Sequence, residues 1–155
     1  IVLRLTRGQI LALVDTRLLL ETETARLAAL NPDPEEKRKL QECLEDLRVA
    51  LANGDEVSQV DDKRVHIQIA DMSGNPILAQ LIRLITPELI VSYREFRNAH
   101  TRDTFALHEA LVAAIVAGDA EKAEALMREH LLDVKKNFRD AVEKRASMRK
   151  TRSRS

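Results

Sequence analysis

Tryptophan is absent from these 155 residues, and tyrosine and phenylalanine together supply only four side chains. With only four glycines and four prolines as well, the chain lacks the turn-rich punctuation and aromatic content of a β-sandwich or barrel. No segment alternates apolar and polar residues with period two, and no repeat of about 20 to 50 residues stands out, which removes strands and solenoid arrays from consideration. A single cysteine, Cys43, excludes an internal disulfide and fits a reducing compartment. It lies on the stripe Leu40, Cys43, Leu44, Leu47, Leu51, where a thiol acts as a small hydrophobe.

Two further absences bear on partners. No apolar run reaches the roughly 18 residues needed to span a bilayer, and the opening "IVLRLTRGQI" has neither the apolar region nor the cleavage site of a signal peptide. A cytoplasmic protein with no membrane partner is expected. Charge of one sign is also missing: 25 basic residues balance 25 acidic ones, so the body carries no electrostatic footprint for nucleic acid. Only residues 144–155, with six Lys/Arg and no acid, are lopsided, and they read as a basic, flexible tail.

What remains is rich in Ala, Leu, Glu and Arg, a composition that favours helices, and the helix ends are well marked. Thr6 and Gln9 form a capping box for a helix to about Leu30. Asp33, Pro34 and Glu36 open a second, with Glu36 expected to close another box, and this helix ends near residues 53–55. A third starts near Ser58 and stops at Ser73 and Gly74. Asn75 and Pro76 cap a fourth that runs to about Asn98 and is disturbed by Pro87. Thr104 begins a fifth that ends at Gly118, and Asp119 begins the last, running to about Arg145. The expected fold is all-α, an antiparallel bundle of six to seven helices.

Projected at about 100° per residue, the third helix gathers Asp61, Arg64, Gln68 and Asp71 on one side. Asp62 and His66 fall among Val65, Ile69 and Ala70 on the buried side, where an unpaired carboxylate would cost several kcal/mol. On the fifth helix His108 lies inside the arc of Phe105, Leu111, Val112 and Ile115. On the last helix His130 lies on the stripe of Ala123, Met127, Leu131, Val134 and Phe138. Three of the four histidines thus point inward with one Asp. That donor set suits a borderline divalent metal such as zinc or nickel, with manganese or iron as alternatives. The competing reading makes the histidines hydrogen-bonded core residues of a metal-free helical interaction module. His100, in a polar stretch, reads as surface. In the first helix Arg17 and Glu21 fall within the arc of Ile10, Leu13, Val14, Leu18, Leu20 and Ala28. They are either an i, i+4 ion pair or a fork of donors for a carboxylate ligand.

Three blocks in order, "LTRGQILALVDTRLLLETETARLAA", "DDKRVHIQIADMSGNPIL" and "HEALVAAIVAGDAEKAEALMREHL", resemble the FCD domain, the C-terminal effector-binding domain of FadR-type regulators in the GntR family. The resemblance implies a bundle with a central pocket for a metal and a ligand. It implies a divalent ion held by Asp62, His66, His108 and His130, and an effector site at Arg17 and Asn75, to which the inward Glu21 of the first helix is added as a candidate effector contact. Val65 and Leu107 stand where the family usually has Phe and Glu, which would reshape the pocket without touching a ligand. By the same resemblance residues 1–5 are the end of a linker from a missing N-terminal winged helix-turn-helix domain, and 6–143 the ligand-binding and dimerisation domain. The expected function is to sense a small organic acid and, as a homodimer, modulate operator binding by that missing domain. A metal-dependent hydrolase on a helical bundle is the enzymatic alternative, disfavoured because no inward general base other than Glu21 is evident.

Overall fold

The computed structural model describes residues 5–53, 58–93 and 102–152. They form helices α1 (Arg7–Ala29), α2 (Pro34–Ala52), α3 (Ser58–Met72), α4 (Pro76–Tyr93), α5 (Arg102–Ala117) and α6 (Ala120–Arg152), with no strand among the described residues. Tight turns join α1 to α2, α3 to α4 and α5 to α6, and in the last two pairs the helices pack on each other. α1 packs against α3, α4, α5 and α6, while α2 covers α3 and α5. None of these helices is long and apolar enough to cross a membrane.

The ends follow the expected chemistry with three differences. Thr6 and Gln9 make the capping box. Asp33 caps α2 by accepting from the Glu35 N–H at 2.9 Å, but Glu36 does not close a box there. Its carboxylate instead accepts from Lys39 and, at 2.9 Å, from Gln68 Nε2 on α3, because a link between helices satisfies two side chains at once. α5 begins at Arg102, two residues before Thr104. α6 continues past the expected end near Arg145 to Arg152, so most of the basic tail is helical. It contains no Gly or Pro to stop a helix, and basic residues in the last turns favour the negative end of the helix dipole. α4 is helical through Pro87 to Tyr93. Its expected end near Asn98, and His100, lie outside the described residues.

Ala25, Ala28 and Ala29 are buried on α1, small enough to let other helices approach its backbone closely. Leu40 and Leu47 from α2, Ile69 and Met72 from α3, Ile115 from α5, and Met127 and Leu131 from α6 fill the core around them. Phe138 closes a second cluster with Ile10 and Val14 where α6 lies along α1. The aliphatic, aromatic-poor composition therefore yields closely spaced helices rather than a roomy core. Outside the core, Ile77, Leu81 and Leu84 leave an apolar stripe on α4, with Ile77 64% and Leu84 69% exposed.

The turn between α5 and α6 is a Schellman motif: the Gly118 N–H donates to Ile115 O at 3.1 Å and the Asp119 N–H to Ala114 O at 2.9 Å. Gly118 has φ 78°, and a Cβ there would meet Ala29 O at 3.6 Å, an ordinary contact. The cost of a side chain is thus conformational rather than steric. Gly118→Ala should lower the unfolding free energy by about 1 to 2 kcal/mol, and Gly118→Asn by less, since Asn tolerates this backbone. Urea denaturation of the two variants measures both.

Candidate metal centre

Helix geometry brings four of the sequence-expected donors together. Asp62 and His66, one turn apart on α3, face His108 from α5 and His130 from α6, and one ligand atom from each lies within 4.8 Å of all the others. The three histidines are buried and Asp62 is half-buried, its side chain 18% exposed. The carboxylate is therefore not at the centre of a sealed arc but at the edge of the cluster nearest solvent.

The rings fill the middle of the bundle. His66 stacks on His130 with centroids 5.1 Å apart, and His108 sits edge-on to both, at 4.4 Å from His130 and 5.5 Å from His66. Nε2 of His66 and Nε2 of His130 are 3.2 Å apart, and His108 Nε2 lies 2.9 Å from Asp62 Oδ1. Ligands bound at roughly 2.0–2.1 Å from one ion sit about 2.9 Å apart on an octahedral edge and about 3.4 Å on a tetrahedral one. Both close pairs have the length of such an edge, and three imidazoles with one carboxylate are a donor set that divalent transition metals accept. The residues fit the ion that the sequence implied.

Arg17 and Glu21 lie beside this cluster. Both are buried, at 5% and 1% exposure, and they form the i, i+4 ion pair: Arg17 Nε donates to Glu21 Oε1, and Nη2 to Oε2 at 3.3 Å. Glu21 Oε2 also meets His66 Nδ1. A carboxylate only accepts, so a hydrogen bond here places a proton on His66 Nδ1. Arg17 Nη2 is 3.5 Å from the same Nδ1. Both are donors, so this contact is no hydrogen bond.

Electrostatics favour the charge state that binding requires. Burial alone would raise the Glu21 carboxyl, but the neighbouring Arg17 and His66 outweigh it and bring its pKa from 4.5 to about 2. His130 is held well below the ordinary imidazole value of 6.5, first by burial and then by the proximity of His108 and His66, with Asp62 opposing. At neutral pH its ring is neutral and its lone pair available. His130 Nδ1 is buried without a hydrogen-bond partner among the described residues.

Asn75 is not brought to the cluster. It is exposed at the head of α4, and its Oδ1 accepts from the Ile77 N–H at 3.1 Å and the Leu78 N–H at 3.2 Å. Projection of single helices placed Glu21 in the buried arc but could not show that it touches His66. The signal available was its place four residues after Arg17, in register with a third buried polar group on another helix.

Removal of the Glu21 carboxylate leaves Arg17 buried without its partner, so Glu21→Ala should cost about 3 to 5 kcal/mol of stability. Because the folded-state pKa of Glu21 is depressed, its stabilisation is present above about pH 4.5 and lost as pH falls toward about 2. Acid titration of the wild type should show this loss and Glu21→Ala should not. Circular dichroism at successive pH values follows both.

With the geometry described, its relatives can be placed. Residues 12–133 match the FCD domain. The chain is 30% identical over 129 residues to the HTH-type transcriptional regulator LutR of Bacillus subtilis, an alignment covering 79% of this chain and 58% of that protein. It is 31% identical over 130 residues to the putative L-lactate dehydrogenase operon regulatory protein of Escherichia coli, covering 77% of this chain and 47% of that one. Among solved structures, E. coli McbR/YncC superposes with a TM-score of 0.77 at 25% identity over 88% of this chain and 71% of that chain. Streptococcus agalactiae GntR gives 0.75 at 24% over 82% and 58%, a likeness of fold. The chain spans about half the length of the curated relatives it matches, and these are named as regulators of transcription, not as enzymes. A family match across most of the chain, on the helical bundle that its solved relatives share, shows that this protein belongs to the FCD domain family.

Proposed function

We propose that this chain is the effector-sensing and dimerisation domain of a GntR-type transcription regulator, holding one divalent metal and responding to a small organic acid. The observation that carries the reading is the convergence of Asp62, His66, His108 and His130 from three helices onto one point in an FCD domain. Zinc or nickel suits three imidazoles and a carboxylate best. When bound, the ion supplies a Lewis-acidic position for an effector carboxylate, and the half-buried Asp62 marks the side nearest solvent. A relative named for an L-lactate dehydrogenase operon fits an effector among small carboxylates.

The chain's own residues divide the work. The four ligands hold the ion and Arg17 adds positive charge beside it, whereas Glu21 would repel an incoming anion and Asn75 is committed to capping α4. In this reading effector recognition rests on Arg17 rather than on all three expected effector contacts. Operator DNA would be read by a winged helix-turn-helix domain outside these 155 residues in a cytoplasmic regulator. Paired operator half-sites call for a two-fold protein. The apolar stripe of Ile77, Leu81 and Leu84 on α4 suits the covering that a second copy provides.

The purified domain should carry roughly one divalent ion per chain by elemental analysis, as a four-ligand site predicts. His66→Ala combined with His130→Ala should lose it, and undiminished metal in the double variant would overturn the site. Because imidazole must be neutral to bind, wild-type affinity should fall as the pH is lowered. At saturating metal, small mono- or dicarboxylates should raise the melting temperature, and Arg17→Ala should reduce the rise. Light scattering at micromolar concentration should give a dimer that Leu84→Glu shifts toward monomer; a monomeric wild type would count against the α4 interface.

A further inference from the structure

Glu21 stands outside the proposed ligand set, yet it is among the most deeply buried charged groups described, at 1% exposure. It approaches His66 at Nδ1, whereas the ring meets His130 through Nε2. A carboxylate on the Nδ1 side cannot join an ion on the Nε2 side, but it can fix how that ring is protonated. Arg17 in turn holds both Glu21 oxygens, through Nε on Oε1 and Nη2 on Oε2 at 3.3 Å. The carboxylate is thereby prevented from rotating away.

We infer that Arg17 and Glu21 form a relay from α1 that locks His66 in the Nδ1–H tautomer, making both of them positioning residues that set the affinity of the metal site. The inference rests on the metal reading above and adds residues that touch no ion. A histidine ligand needs a lone pair on the metal-facing nitrogen, and the hydrogen bond at the other nitrogen decides whether it has one. With a carboxylate as acceptor, the proton stays on Nδ1 and the ring becomes a stronger donor to the ion. The spacing is specific. Arg17 and Glu21 are one turn apart on α1, so the guanidinium and His66 approach the same carboxylate from two sides.

Arg17 thereby acquires two roles that oppose each other. An effector carboxylate that draws the guanidinium toward itself competes with Glu21, and Glu21 is what orients His66. Occupancy of the effector site and grip on the metal are then linked through one side chain.

Glu21→Gln tests the relay. The amide oxygen would turn to the positively charged Arg17, leaving the amide NH2 against His66 Nδ1. Nδ1 would then act as acceptor, the proton would move to Nε2, and the metal-facing lone pair would be lost. Zinc affinity, measured by competition with a chromophoric chelator, should fall about 10- to 100-fold. Glu21→Asp, which keeps an acceptor, should recover part of the loss. Long-range proton–nitrogen NMR of metal-free wild type needs no variant, and it should show His66 protonated at Nδ1. A wild-type His66 protonated at Nε2 alone overturns the relay, as does Glu21→Gln protein that binds zinc as tightly as wild type. Failure of the wild type to take up zinc at all would instead overturn the metal site itself, and the relay with it.

Discussion

Keeping a carboxylate and three imidazoles inside a helical bundle is possible only if their lone pairs and protons find partners, since each unsatisfied polar group buried from water costs on the order of 1–3 kcal/mol. The contact between Glu21 and His66 is where this constraint is met most fully. It fixes the tautomer of one ring through the same carboxylate that pairs with Arg17. It also ties α1, which packs on four of the other helices, to α3, which carries two of the four clustered donors.

The rest of the architecture serves the same placement. Alanines on α1 allow close approach, so α3, α5 and α6 deliver their histidines to one point instead of lining a wide channel. Polar links on the outer face keep α3 in register with its neighbours: Gln68 to Glu36, Arg64 to Asp46 at 2.8 Å, and Arg83 to Asp71 at 2.6 Å. Exposed pairs of this kind contribute little stability individually. Their value lies in holding α3 with Asp62 and His66, rather than Arg64, turned inward.

A site built from donors on three helices is also a sensor of their relative position. Small displacements of α1 against α3 alter the hydrogen bond at His66 before they disturb the hydrophobic core, because a directional contact is lost over a shorter distance than area burial. Such a centre joins the small-molecule chemistry expected of an FCD domain to the helices on which a dimer would be assembled. The exposed apolar stripe belongs to α4, and α4 packs on both α1 and α3.

Local chemistry was legible in the sequence. Capping residues placed the helices, and the rotation of each helix placed Asp62, His66, His108, His130, Arg17 and Glu21 on buried arcs. These are properties of one segment at a time, fixed by a period of about 3.6 residues and by which side chains can end a helix. The same reasoning missed the helical continuation to Arg152, where no breaker exists, and gave Glu36 a capping role that a partner on α3 overrides. The tertiary structure alone decided which arcs meet. It set Glu21 against His66, left Asn75 as an exposed cap, and opened Asp62 to solvent. A projection fixes the angle of a side chain about its own axis, whereas a hydrogen bond between helices depends on their distance and on their relative translation, which no single helix contains.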